Sequence, residues 1–148
     1  MKRTILSCSL PLLTCLLITP GVCRADHWER VHDIPSQGLS YYVDTESIVI
    51  QGSIVRAWDR VVFTRPKSDS QSQLIFSQKY YKSYDCEERL SRNIQSIDYA
   101  DRDSTAVVGE ITHYSATWPL NSAASGSAEE KLINFICTTA AKKLRTGR

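Results

Sequence analysis

No C-x-x-C pair and no cysteine and histidine cluster at ligand spacing occurs in the 148 residues, so thiol-disulfide catalysis and a zinc site have no basis in the sequence. Histidine is scarce. His27, His32 and His113 are the whole supply, and no motif sets one of them beside a nucleophile, which leaves hydrolase chemistry without its base. An apolar run of the roughly 20 residues needed for a helical membrane span is also missing, because Pro11, Pro20 and Gly21 interrupt the one candidate stretch, Ile5 to Val22.

What that stretch does have is the order of a secretory signal. Lys2 and Arg3 come first, the apolar run follows, and Cys23-Arg24-Ala25 precedes the polar Asp26-His27. This predicts a signal peptide over residues 1–25, cleaved near Ala25, and one exported domain over residues 26–148, of a size to bury a modest core. The processed chain then has no transmembrane segment. Lipid attachment needs a small residue just before a cysteine that closes the apolar stretch. Cys23 follows Val22, Cys8 comes too early and Cys15 follows Thr14, so an anchor at Cys15 is the weaker alternative.

Cleavage changes the chemistry of the chain. Losing Lys2, Arg3 and Arg24 takes 18 basic residues to 15, against 16 acidic ones that all remain. A net charge close to −1 excludes a global attraction to nucleic acid or to an anionic membrane. Cys8, Cys15 and Cys23 leave as well, and of five cysteines only Cys86 and Cys137 stay. In an oxidising compartment they most simply form one disulfide; two separate buried thiols are the alternative.

Most of the domain alternates short runs rich in Val, Ile, Tyr, Phe and Thr with Gly, Pro, Asp and Ser. That pattern predicts strands over 27–32, 39–44, 54–64, 74–84, 89–99 and 105–114, paired antiparallel because the connections are short. Within 74–84, Leu74, Phe76, Tyr80 and Tyr84 share one parity and form the expected covered face. Within 54–64 neither face is clearly apolar: Ile54, Trp58 and Val62 go with Arg56 and Arg60, and Val55, Ala57, Val61 and Phe63 with Asp59. Short linkers are expected at 66–72 and 121–127. The period changes near the end. Ser127 and Glu130 have capping-box spacing, Leu132, Ile133, Ile136, Cys137, Ala140 and Leu144 fall on one helical arc, and Lys142, Lys143 and Arg145 suit a last turn. A disulfide from Cys137 on that helix to Cys86 at a strand end would clamp helix to sheet.

Basic and aromatic residues interleave at Arg56-Trp58-Arg60 and at Lys79-Tyr80-Tyr81-Lys82, with Arg89 and Arg92 beyond Cys86. Arg and aromatic side chains dominate protein binding hot spots, so Lys79, Lys82, Arg89, Arg92, Arg56, Trp58 and Arg60 are the candidate partner-binding residues. An ordinary solvated sheet face with core aromatics behind it is the plainer reading. Two other constellations carry less. Asp44 and Ser47 read as turn chemistry rather than a catalytic pair. His27, His32 and Asp33 make a poor metal site, since His27 and His32 have opposite parity on an extended strand, and no cofactor is expected. An open sheet edge offers a route to a homodimer or to peptide binding by strand addition.

Together these residues resemble the bacterial surface-adhesin protein E family. The likeness starts at His27-Trp28-Glu29-Arg30-Val31 and runs through the Tyr41-Tyr42-Val43-Asp44-Thr45-Glu46-Ser47-Ile48 element, its most specific piece, and Val55 to Trp58. It continues through Tyr80 to Tyr84 into Cys86, Trp118-Pro119-Leu120, and Ala128 to Cys137. The resemblance implies an α+β domain, an antiparallel sheet of about six strands with a C-terminal helix tied across one face by the disulfide. It also implies an exported, non-enzymatic binding module that adheres to host extracellular-matrix proteins such as vitronectin or laminin. The family's namesake is lipid-anchored, which this chain's cysteines match poorly. A periplasmic, envelope-associated structural protein with no host ligand is therefore the alternative.

Overall fold

The computed structural model describes residues 27–113 and 121–147. The expected signal peptide, with Cys8, Cys15 and Cys23, lies outside the described residues, as does the Trp118-Pro119-Leu120 element. Eight strands and one helix follow in order: β1 Trp28–Ile34, β2 Leu39–Asp44, β3 Val49–Gln51, β4 Ile54–Ser68, β5 Leu74–Asp85, β6 Leu90–Tyr99, β7 Val107–Thr112, β8 Asn121–Ser122 and α1 Ala128–Thr146. Six of the strands form one antiparallel path, β1-β2-β4-β5-β6-β7, to which β3 adds beside β4 and β8 beside β6. Among the described residues no helix is long and apolar enough to cross a membrane.

The long central strand β4 settles which of its two mixed faces is inside. Val55, Ala57, Asp59, Val61 and Phe63 are buried, and the alternate residues Arg56, Trp58, Arg60 and Val62 are only half-buried. Apolar content alone did not separate them; the carboxylate of Asp59 goes inside because a buried partner from β5 meets it.

At the start of β5 the expected alternation fails. Leu74 is 51% exposed while Ile75 is buried, and Ser77 and Gln78 are buried in succession. The cause lies across the strand pair. The β4–β5 register is interrupted between Val62 and Lys67, where β4 carries extra residues that include Pro66, which has no N–H for a ladder. The linker expected over 66–72 thus begins as strand, through Ser68, and the turn follows it, with Asp69 Oδ1 accepting from the N–H groups of Gln71 and Gln73 at 2.8 Å each.

The helix begins where the capping chemistry puts it. Ser127 is the N-cap and its Oγ accepts from Glu130 N at 3.2 Å; Glu130 Oε2 returns to accept from Gly126 N at 2.7 Å. It ends at Gly147, whose φ of 66° is left-handed and whose N–H reaches Lys143 O. Between these ends Leu132, Ile133, Ile136 and Ala140 are buried against Val43, Ile48, Val55, Ala57 and Tyr84. Each large apolar side chain enclosed this way contributes about 1.5–3 kcal/mol. Leu144, placed by its period on the same arc, is 66% exposed, since the last turn runs past the apolar surface of the sheet. There Lys143 Nζ instead donates to Thr45 O at 2.7 Å.

Cys86 and Cys137 are bonded, with Cα atoms 5.7 Å apart. The bond joins the end of β5 to the middle of α1 and closes a separation of 51 residues, for which loop entropy gives about 4 kcal/mol.

Candidate functional site

With the helix on one face, the register of the strands decides what the other face presents. Arg30, Tyr42, Arg60, Lys79 and Ile97 stand opposite one another on successive strands β1, β2, β4, β5 and β6. Two residues along, Trp58, Tyr81 and Gln95 form the next row, and two further on come Arg56, Ser83 and Arg92. Side chains two apart share a face, so this open side carries a cationic row, an aromatic row and a second cationic row. Rows lie about 6.7 Å apart and strands about 4.8 Å.

The cations are seated on rings. The Arg60 guanidinium carbon lies 4.7 Å from the Trp28 ring centre and 4.9 Å from that of Tyr42, and Lys79 Nζ is 5.2 Å from Trp28 and 5.4 Å from Tyr99. Arg30 is 5.5 Å from the Tyr42 ring and also donates to its hydroxyl at 3.0 Å. Trp58 and Tyr81 pack with ring centres 5.2 Å apart. Such contacts hold a cation against the negative face of a ring. Between the rings lies a cavity of about 180 Å³ lined by Trp28, Asp44, Trp58, Lys79, Ile97 and Tyr99.

Of the candidate residues, the structure brings Arg56, Trp58, Arg60, Lys79 and Arg92 to this face. Arg89 stands apart, exposed in the β5–β6 turn with φ 58°. Lys82 is on the opposite side. Three residues from Lys79, it has the other parity on a strand, and its side chain is enclosed beneath the helix with Nζ 3.3 Å from Asp59 Oδ2 and 2.9 Å from Glu129 Oε2. It is unavailable as a surface cation. Trp28, Tyr42, Tyr81 and Tyr99 also stand on this face, although they are not among the partner-binding candidates the sequence offers. Parity marks Tyr81 as a companion of Lys79, but only cross-strand register finds Trp28, Tyr42 and Tyr99.

The enclosed cluster around Lys82 is electrostatically tight. Burial pushes the ammonium down, and the carboxylates of Asp59 and Glu129 together outweigh it, so Lys82 stays protonated well above its ordinary range. Asp59 is raised because burial exceeds the opposing pull of Lys82 and of the Tyr84 hydroxyl, which donates to Oδ2 at 2.5 Å. Lys82 Nζ lies closer to Glu129 Oε2 than to Asp59 Oδ2. Burial also raises Tyr84, and pushes Tyr80 up to about 12. Lys82 pairs with both carboxylates, so the cluster holds the helix start to the sheet, with Glu129 Oε1 buried and without a hydrogen-bond partner among the described residues.

The Tyr41–Ile48 element is turn chemistry. Asp44 Oδ1 accepts from Glu46 N and from His27 N, both at 3.1 Å, while Ser47 Oγ donates to Asp44 O at 2.7 Å and accepts from Trp58 N at 2.9 Å. Both side chains are committed to the backbone of a short 3-10 turn over Thr45–Ser47, which also fixes the start of the aromatic row. His32 does not follow the alternation expected from His27. A bulge between Arg30 and His32 resets the face and sets His32 opposite Tyr41, ring centres 6.4 Å apart, and Asp33 turns to Arg30 at 3.4 Å.

Two larger depressions carry less chemistry. One of about 370 Å³ follows the β1–β2 turn. The other, about 540 Å³, lies beside the helix start, and its polar groups bond one another: Gln78 Oε1 accepts from Lys67 Nζ at 2.5 Å and from the Tyr80 hydroxyl at 2.7 Å.

Comparison with known proteins agrees with this architecture. The family described as surface-adhesin protein E matches residues 28–138. Among solved structures, crystal form II of Haemophilus influenzae protein E is similar with a TM-score of 0.54 and 16% identity, over 68% of this chain and 82% of that one. Its selenomethionine form gives 0.54 and 16%, over 75% and 85%. Protein E of non-typeable Haemophilus influenzae gives 0.55 and 15%, over 84% of each chain. At such identities the likeness is one of fold. Comparison with curated protein sequences finds no match.

Proposed function

The chain belongs to the surface-adhesin protein E family, and we propose that it works as an exported, non-catalytic binding module whose open sheet face is the contact surface. The observation that supports this reading is the register that gathers Arg60, Lys79, Trp58 and Tyr81 on the face the helix leaves uncovered. Cations held on aromatic rings are rigid and desolvated in advance, so a partner with acidic groups meets little ordering cost. Following the family, that partner is an extracellular-matrix protein such as vitronectin or laminin. Of the outer strands, β7 exposes Val107 and Ile111, which makes it the edge for a homodimer. A monomer mass at every accessible concentration would remove that part.

The test uses the exported protein and immobilised vitronectin and laminin. Saturable, salt-sensitive binding is expected, weakened about tenfold or more by the double change R60Q/K79Q. Binding that ignores both salt and the double change places the contact elsewhere. Protease treatment of intact cells decides whether the face reaches the outside. Complete protection until the outer membrane is breached would favour the periplasmic, envelope-associated role. The mass of the processed N-terminus separates cleavage near Ala25 from lipidation at Cys15.

A further inference from the structure

The rows of the open face have a composition that specifies their ligand further. The cations come in two lines, Arg30, Arg60 and Lys79 in one and Arg56 and Arg92 in the other, about 13 Å apart along the strands. Between them the groups are flat rings, Trp58 and Tyr81, with the Gln95 amide beside them. Among the described residues the acids beside these rows are engaged, Asp33 with Arg30 itself at 3.4 Å. Asp44 is 7% exposed and occupied with backbone N–H groups, and Glu110 on the outer strand accepts from Gln95 Nε2 at 2.7 Å. Arg56 Nε lies buried with no hydrogen-bond partner among the described residues, a donor left over at the edge of the aromatic row.

We infer that this face binds a linear acidic glycan, a chain of pyranose rings bearing sulfate or carboxylate groups, laid over the Trp58–Tyr81 row with its anions on the two flanking cationic rows. The inference rests on the proposed role of the open face as the contact surface. Sugar rings offer apolar C–H faces that stack on aromatic planes, and hydroxyls that suit the Gln95 amide. Sulfates and carboxylates match the planar donor fork of arginine, and all four arginines lie on strands whose spacing the sheet fixes. An acidic peptide would use the cations and leave the rings without a flat partner. The Trp28–Tyr99 cavity, with Lys79 at its wall, is large enough for a single substituent at the end of the chain.

The probe is a heparin octasaccharide, titrated calorimetrically into the exported protein, with a polyglutamate peptide and a single-stranded deoxythymidine oligonucleotide as competitors. Saturable octasaccharide binding is expected, with affinity about tenfold weaker in R60Q/K79Q, about fivefold or more weaker in W58A, and unchanged in R89Q, which lies off the rows. Because Trp58 packs on Tyr81, W58F is measured beside W58A: it keeps a stacking ring and should restore most of the affinity. Melting temperature is recorded for each variant. No octasaccharide binding, equal binding by W58A, or tighter binding of either competitor overturns the glycan assignment. If R60Q/K79Q still loses vitronectin or laminin in that case, the face remains the contact surface and only its ligand was misassigned.

Discussion

The two faces of this sheet are built from the same kinds of residue and treat them in opposite ways. Under the helix, Lys82 is enclosed and paired with Asp59 and Glu129, so its charge is consumed in holding α1 to β4 and β5. On the open face Lys79, three residues away on the same strand, rests on the rings of Trp28 and Tyr99. A charge answered by a carboxylate serves the fold. Lys79 is half-buried on the side the helix leaves uncovered, where we propose that it meets a ligand.

The sharpest way to break this comparison is to remove each lysine in turn. Lys82→Met leaves Asp59 and Glu129 in a buried site without their cation, and a loss of about 3–5 kcal/mol is expected in urea unfolding. A Lys82→Met protein as stable as the parent would mean that the enclosed cluster does not lock the helix. Next in size is the disulfide. Cys137→Ser releases the link between the end of β5 and α1, and about 2–4 kcal/mol should be lost, read as a lower melting temperature that reduction of the parent reproduces. If reduction leaves the parent unchanged, the buried face alone carries the helix.

Alkaline pH tests the enclosed side without a change of charge in the sequence. Tyr80, Tyr84 and Lys82 all hold their protons to higher pH in the folded state than in the unfolded one. Their contribution is therefore complete below about pH 10 and is lost as pH rises through the folded values, because the native chain binds more protons in that window. Stability should fall by up to about 1.4 kcal/mol per pH unit for each such group, and Tyr80→Phe should remove close to one group's share of the slope. An unchanged slope in Tyr80→Phe would show that its hydroxyl titrates alike in both states.

How much of this could be read beforehand depends on whether a feature is local. The helix was legible because its cap, arc and basic last turn all lie within twenty residues of Ser127, and five of its six arc positions meet the sheet or its disulfide. Strand existence was legible for the same reason. The buried face of β4 was not, since Asp59 on the one side and Arg56 and Arg60 on the other gave no apolar contrast; only Lys82, arriving from β5, explains why the carboxylate goes inside. The proposed binding face was half legible. Arg56, Trp58 and Arg60 keep strict alternation and land together, whereas grouping Lys79 with Lys82 ignored the two-residue period of a strand. Trp28, Tyr42 and Tyr99 come from three other strands, and their place beside Arg60 and Lys79 depends on registers and bulges that no short window contains.

The smallest expected effect on stability is also the one that ties the open face to function. Lys79→Met keeps the aliphatic stem, which can still cover the Trp28 and Tyr99 rings, and removes only the ammonium. Two cation–π contacts at a half-buried position are worth about 0.5–1 kcal/mol each, partly returned by the apolar replacement, so the melting temperature should shift by a few degrees at most. Partner binding should respond in the opposite proportion, because the lost charge stands beside Arg60 in the proposed contact row and no other cation on β5 shares that face. Measured side by side, Lys79→Met should cost affinity with little stability, and Lys82→Met stability first. Should both variants lose the two properties in the same ratio, the division of labour between the faces would fail, and the register of β4 and β5 would have to be explained by folding alone.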